Sequence, residues 1–412
     1  MRKLEWTIVA SLLAVTAGFP ICQAFYEWLG EKQTPHVFAI FGETPTKKHL
    51  HGWDAAAKDR SIFSKWLQPR VLQLRYKLLG EMGAKSLKGT DGWLFYNQDV
   101  DYLMHPPYSD RRFYKGTFDT LVAGKRVNVR NPLVAITDFR DQLKARGIEL
   151  LLIPIPGKPA IYPEKLWAGF RGQPPSPTLA MLEDLRRKGF QVVDLYHPLL
   201  EAKARGEGQL YLKRDTHWSP AGMEVAAAEI ARAIRAMGIL PADSAAAAGR
   251  NVASVQKGSK ALAVLDTFPP SPRFVLKDTA VERWGDIAEM TKLPDRKKIW
   301  GTETVTARRV IDSRSGLAYA DDEASPILWL GDSYSRIYQT DAPRGAGVIA
   351  HVSYRLQQPL ASIVNDGGAS TVVRQQLLNK ARLLTGKKLV VWTFVERDIR
   401  FGSKGWQLEA LP

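Results

Sequence analysis

Residues 148–155, 326–330 and 388–394 form short, almost wholly apolar runs, and these constrain the fold of the 412-residue chain more than any other feature. A strand with one wet face alternates apolar and polar side chains, whereas an unbroken apolar run of this length marks a strand buried on both faces. Between the runs, apolar residues fall at helical spacing. Leu133, Ile136, Phe139 and Leu143 share a face after Pro132 and are stopped by Gly147. A second helix is expected over about 178–188, ahead of a strand at 191–196. Met223, Ala226, Ile230, Ile234 and Met237 trace another helix behind Pro220, and Val373, Leu377, Ala381 and Leu384 a late one. Strands alternating with helices predict an α/β fold with a central parallel sheet covered on both faces.

The N-terminus adds a separate constraint. Arg2 and Lys3 precede residues 6–26, which carry no charge and end at Glu27. At 1.5 Å per residue this stretch is just long enough to cross a hydrocarbon core of ~30 Å. Basic residues ahead of the span keep the short end in the cytoplasm and export the bulk of the chain. Two readings follow: an uncleaved inner-membrane anchor, which we favour, or a signal peptide cut after Ala17 or Ala24. Either way the working part lies outside the cytoplasm, in the periplasm of a bacterial cell.

The rest of the chain divides in two. Residues 31–85 read as a connecting helical segment, with apolar residues at Ile62, Trp66, Val71, Leu74 and Leu78 interrupted by Pro69. A turn at Gly89-Thr90-Asp91-Gly92 and a short strand over 93–96 open the folded domain, which runs from 86 to 412. Within it, residues 241–325 break the rhythm: an Ala/Ser-rich stretch at 242–249, Pro269 and Pro270, and scattered charges suggest an excursion from the core. The sole cysteine, Cys22, lies in the apolar N-terminal stretch, so neither a disulfide framework nor a thiolate metal site is available. Fifty-eight basic against 42 acidic residues give +16, a field that attracts polyanions. Export and the lack of any nucleic-acid-binding signature turn that charge away from nucleic acid, towards anionic polysaccharide or lipid headgroups.

Two motifs carry chemistry. Gly331-Asp332-Ser333 follows a buried strand directly and precedes a helical turn, which holds a serine at the carboxyl edge of the sheet, where open α/β sheets bind ligands. Alone, such a tripeptide is as readily a helix cap. Asp215-Thr216-His217-Trp218 shifts the balance. An aspartate and histidine two apart in an irregular backbone project to the same side, so the carboxylate can fix the imidazole tautomer while the other ring nitrogen takes a serine proton. An isolated Asp-x-His is a poor metal site, and no metal or other cofactor is expected.

These motifs resemble the SGNH hydrolase superfamily. Typical members place the serine block first; here Asp215 and His217 precede Ser333, and that permuted order resembles the alginate O-acetyltransferase family of AlgJ and AlgX. Gly89-Thr90-Asp91-Gly92-Trp93-Leu94-Phe95-Tyr96, Pro156-Gly157-Lys158 and Ile161-Tyr162-Pro163-Glu164 agree with it, and the resemblance covers about residues 85–400. AlgX-like members add a carbohydrate-binding module for which this chain has no room after 395, so the AlgJ pattern is nearer. The resemblance implies a three-layer α/β/α SGNH-like fold and O-acetylation of an exported polysaccharide. Ser333 would be acetylated, with His217 as base and Asp215 as its partner, and a membrane-bound O-acyltransferase would supply the acetyl group. Oxyanion or substrate contacts are expected among Asn365, Gly367, Tyr334, Arg336, Tyr338, Arg397 and Trp218, though each also reads as a packing or loop residue. Glu396-Arg397 reads by default as a structural ion pair. The same motifs also suit a polysaccharide O-acetyl esterase, and a membrane-tethered, non-catalytic polysaccharide-binding scaffold stands as a further alternative.

Overall fold

A computed structural model describes residues 2–106, 109–110, 119–122, 125–128, 131–240 and 271–411, apart from the single positions 33, 43, 45, 175 and 403. The Ala/Ser-rich stretch and the proline pair of the expected excursion lie outside the described residues. The chain forms two compact units, one of residues 1–83 with 292–296, the other of 84–291 with 297–412.

The larger unit is built on a five-stranded, all-parallel sheet. Numbering strands along the chain, β1 is Ser86–Lys88, β2 Leu94–Tyr96, β3 Asp119–Val122, β4 Lys125–Asn128, β5 Glu149–Ile155, β6 Gln191–Val192, β7 Phe274–Arg283, β8 Glu303–Asp312, β9 Ile327–Gly331, β10 Ala361–Val364 and β11 Leu389–Val395. The sheet order is β10-β9-β11-β5-β6. Every residue of β9 and β11 is buried. Because alternate side chains point to opposite faces, this requires cover on both sides, as the unbroken apolar runs predict. On one face Phe139, from the helix Pro132–Lys144, meets the Trp392 ring edge-on at 5.2 Å. The topology turns outward from its middle: β5 leads to β6, β9 leads to β10, and β11 fills the gap between β5 and β9. The carboxyl ends of those three central strands therefore converge where such sheets bind ligands.

Local chemistry sets the boundaries. Asn131, Ser176 and Ser219 each cap a following helix that has proline in its first turn. The strand expected over 191–196 stops at Val192, because the Asp194 carboxylate accepts the Tyr196 amide (2.8 Å) and starts the helix Tyr196–Ala204. The late helix is likewise shorter than expected, ending at Asn379 and resuming as a 3-10 turn over Ala381–Leu384. The described part of the excursion, from 271, holds an antiparallel ladder of β7 and β8, Phe274 paired with Asp312 through Arg283 with Glu303.

The smaller unit is helical. A run in four segments, Arg2–Leu13, Ala14–Gly18, Phe19–Phe25 and Tyr26–Gly30, contains a 26-residue stretch, Glu5–Gly30, long and apolar enough to cross a membrane. Helices Lys47–Arg60 and Ile62–Leu79 follow, and the second passes through Pro69 instead of being interrupted there. The distal turns of the apolar run belong to this fold. Gln23 donates to Glu27 (2.8 Å) and to the carbonyl of Arg60 (3.2 Å) and accepts the Ile62 amide (2.9 Å). Glu27 is buried and accepts the His36 amide at 2.5 Å.

Candidate active site

The serine turn is sterically dictated. Gly331 ends β9 where a Cβ would stand 2.2 Å from Ser335 Oγ and 2.9 Å from Thr393 Oγ1, so no larger residue fits without displacing the turn. The Asp332 carboxylate accepts the Tyr334 amide (2.9 Å), capping the turn Ser333–Arg336, and the Val395 amide (2.8 Å), which ties β9 to β11. Burial raises the pKa of this carboxyl despite those donors. Ser333 is left partly open to solvent between buried neighbours.

His217 Nε2 stands 2.8 Å from Ser333 Oγ, and its Nδ1 stands 2.6 Å from Asp215 Oδ1. Asp215 Oδ1 also accepts the His217 amide (3.0 Å). Burial alone would raise the Asp215 pKa, but the His217 charge and these hydrogen bonds win and hold it low. For His217 burial pulls down, yet the charge and hydrogen bond of Asp215, aided by Asp286, leave the pKa raised. The turn therefore has a histidine placed to take the hydroxyl proton and a carboxylate placed to stabilise the resulting cation.

Residues 212–217 have no regular structure, so their peptide groups need other partners. Buried Lys158 supplies three hydrogen bonds, its Nζ donating to the carbonyls of Leu212 (3.0 Å), Lys213 (3.0 Å) and Asp215 (2.7 Å). Burial lowers its pKa to about 8. Glu303, the first residue of β8, accepts the amides of Lys213 (3.0 Å) and Arg214 (2.8 Å). Asp286 accepts the Thr216 amide (2.7 Å), and Tyr334 Oη donates to the Thr216 carbonyl (2.6 Å). Leu94 donates its amide to Lys213 O (2.8 Å), and Tyr162 Oη accepts the Leu210 amide (3.0 Å). The three accessory sequence patches thus converge on this loop.

The other expected residues divide. Tyr334, Tyr338 and Trp218 are wholly buried. The Tyr334 ring packs on His217 (4.7 Å) and Trp218 (5.1 Å) and so joins the two motifs. Trp93 is core as well, against Tyr162 at 4.7 Å. Arg336 is half-buried and paired with Asp366 (2.7 Å) and Asp341. Asn365 lies beside the serine turn, its amide donating to Gly331 O (3.0 Å), while Gly367 is exposed at the loop tip. Glu396 and Arg397 do not pair with each other. Arg397 binds Asp99 at 2.7 Å, whereas Glu396 points inward and accepts from the Gly157 amide (2.7 Å), Thr178 (2.7 Å) and Tyr196. Asp286, Glu303 and Asp99 carry no local sequence signal; only the spatial arrangement reveals them. Asp215, His217 and Asp286 could approach a common ion, but their carboxylate oxygens already accept protein N–H and O–H groups, a set that disfavours a metal.

A family described as "SGNH hydrolase-like domain, acetyltransferase AlgX" matches residues 87–266, which include Asp215 and His217 but not Ser333. The chain is 30% identical over 172 residues to a protein of Azotobacter vinelandii called probable alginate O-acetylase AlgJ, covering 41% of this chain and 38% of the relative. It is 27% identical over 334 residues to the Pseudomonas putida protein of that name, covering 78% and 72%. The fold matches the O-acetyltransferase domain of Pseudomonas putida AlgJ with a TM-score of 0.53 at 22% identity, over 77% of this chain and 92% of that domain. The permuted motif order, the parallel sheet and these likenesses agree: the chain is similar to the AlgJ/AlgX-like proteins in sequence and to their SGNH-type α/β domain in fold.

Proposed function

We propose that this protein is an O-acetyltransferase that acetylates an exported anionic polysaccharide, alginate or a similar polymer, through an acetyl-serine on Ser333. The observation that carries the reading is the relay from Asp215 through His217 to a partly open serine at the carboxyl edge of the sheet, with 2.6 Å and 2.8 Å links. The names of the relatives support the acetyl group and the alginate class.

In the first half-reaction His217 Nε2 takes the Ser333 proton as Oγ attacks the donor's acetyl carbonyl. The tetrahedral intermediate collapses, the donor's leaving group receives that proton from His217, and acetyl-serine remains. In the second, His217 removes the proton of a sugar hydroxyl, the sugar oxygen attacks the acetyl-serine, and Oγ leaves with the proton. Asp215 stabilises the imidazolium twice. The Ser333 amide, first in its helical turn and without an intrahelical acceptor, suits an oxyanion donor, and Asn365 is the nearby candidate for a second. A membrane-bound acyltransferase would deliver the acetyl group.

The Gln23 hydrogen bonds to Glu27, Arg60 and Ile62 support a retained anchor over a leader cut after Ala24, because that cut would remove Gln23 and leave Glu27, which holds the His36 amide, close to the new terminus. The deciding experiment gives full-length protein an activated acetyl ester with and without polyuronate oligosaccharides, and compares Ser333→Ala. Acetylated oligosaccharide, lost by at least a thousandfold in the variant (about 10³ or more by analogy with removal of a catalytic serine), is the expected result. Acetate release indifferent to added oligosaccharide would identify an esterase, and transfer persisting in Ser333→Ala would end the acetyl-serine reading.

A further inference from the structure

Asp286 opens the short helix Asp286–Met290, just beyond β7. Its Oδ2 stands 3.7 Å from His217 Nδ1, the nitrogen that Asp215 holds at 2.6 Å. Its oxygens accept the Thr216 amide (2.7 Å) and the Thr216 hydroxyl (2.6 Å). Its own backbone N–H donates to the second oxygen of Asp215, Oδ2, at 3.3 Å. This close approach depends on Gly285, where a Cβ would lie 2.1 Å from the Arg214 carbonyl oxygen. Two carboxylates thus face one ring nitrogen, and they are joined to each other through a backbone N–H.

We propose that Asp286 is a positioning residue of the acyl-transfer site, a second carboxylate that holds the Asp215–His217 pair in register and stabilises the imidazolium formed when Ser333 gives up its proton. The proposal rests on the Ser333 reading given above. With a neutral imidazole the two aspartates repel one another; with the imidazolium both are attracted to it. Their joint charge therefore favours the state reached during acyl transfer over the resting state, which is the condition for accelerating the step. The same charge makes the histidine harder to deprotonate, so a site with Asp286 ionised needs a higher pH to supply a free base.

The charged groups facing the pair are Lys158 beneath the loop, Arg283 on β7, Asp332 in the serine turn and Arg397 beyond β11. Tyr334 and Tyr338 beside them stay neutral, burial raising both hydroxyls. Burial, then the Asp215 charge, pushes Asp286 up to about 6, so Asp286 and His217 titrate as a pair.

Asp286→Asn keeps the size and an acceptor for the Thr216 amide but removes the charge. In full-length protein with an activated acetyl ester, kcat should fall on the order of tenfold, the loss of roughly one charge interaction. The acid limb of kcat/KM should move to lower pH, since an imidazolium deprived of a neighbouring anion loses its proton sooner. Asp286→Glu, which retains the charge, should leave that limb near its original position. A titration of ¹⁵N-labelled His217 in a Ser333→Ala background reads the same shift without activity, with and without Asp286→Asn. An unmoved limb and an unmoved His217 titration in Asp286→Asn overturn the proposal, whatever the rate. Transfer surviving in Ser333→Ala alone would instead overturn the underlying reading of the serine.

Discussion

Glu396 shows how one residue type can serve opposite ends at the same sheet edge. Asp215 is held low by a cation it can form with His217, whereas Glu396, one residue past β11, has only neutral donors around it. Burial therefore prevails and pushes Glu396 up to about 7, against about 4.3 for an unfolded chain. A carboxyl whose folded pKa is raised binds a proton in the native state that the unfolded chain has released. Its stabilising contribution is complete below about pH 4.3 and is lost as pH rises through about 7. Glu396→Gln should flatten this part of the profile. Denaturant unfolding at pH 5 and pH 8 should show wild type losing roughly 2–4 kcal/mol more than the variant over that interval. Equal losses in both proteins would mean that Glu396 is ionised in the native state throughout.

At the scale of elements, the β7–β8 ladder is what the sequence could suggest only as an excursion. It carries Glu303 at the start of β8 and leads from β7 into Asp286, and both side chains bind the irregular loop that bears Asp215 and His217. A loop outside any strand or helix keeps one geometry only if its peptide groups are paired elsewhere. Glu303→Ala strips acceptors from two backbone amides, which costs about 1–3 kcal/mol for each one left buried and unpaired. We expect a lower unfolding midpoint and a fall in kcat with KM little changed, because the loop loses order but no substrate contact is removed. A rise in KM alone would instead place Glu303 in the substrate path.

At the scale of the molecule, a helical unit bearing the apolar run and a larger α/β unit bearing the candidate site share one chain. Gln23 and Glu27, inside the nominal leader, complete the hydrogen bonding of the helices that follow. Intact-mass measurement on protein extracted from membranes should therefore find residues 1–24 still attached, allowing for loss of the initiator methionine. A mature start just after residue 17 or 24 would refute retention. The sequence by itself determined the buried strands, the helices with their caps, the apolar run and the two motifs. Each of these is written in neighbouring residues, through side-chain periodicity or a cap within a few positions. What only the tertiary structure decided is how distant residues meet: Tyr334, Tyr338 and Trp218 turned inward, Glu396 and Arg397 parted, and Lys158, Glu303 and Asp286 gathered on one loop. Those outcomes depend on contacts between segments tens to hundreds of residues apart, and no local pattern in the chain encodes them.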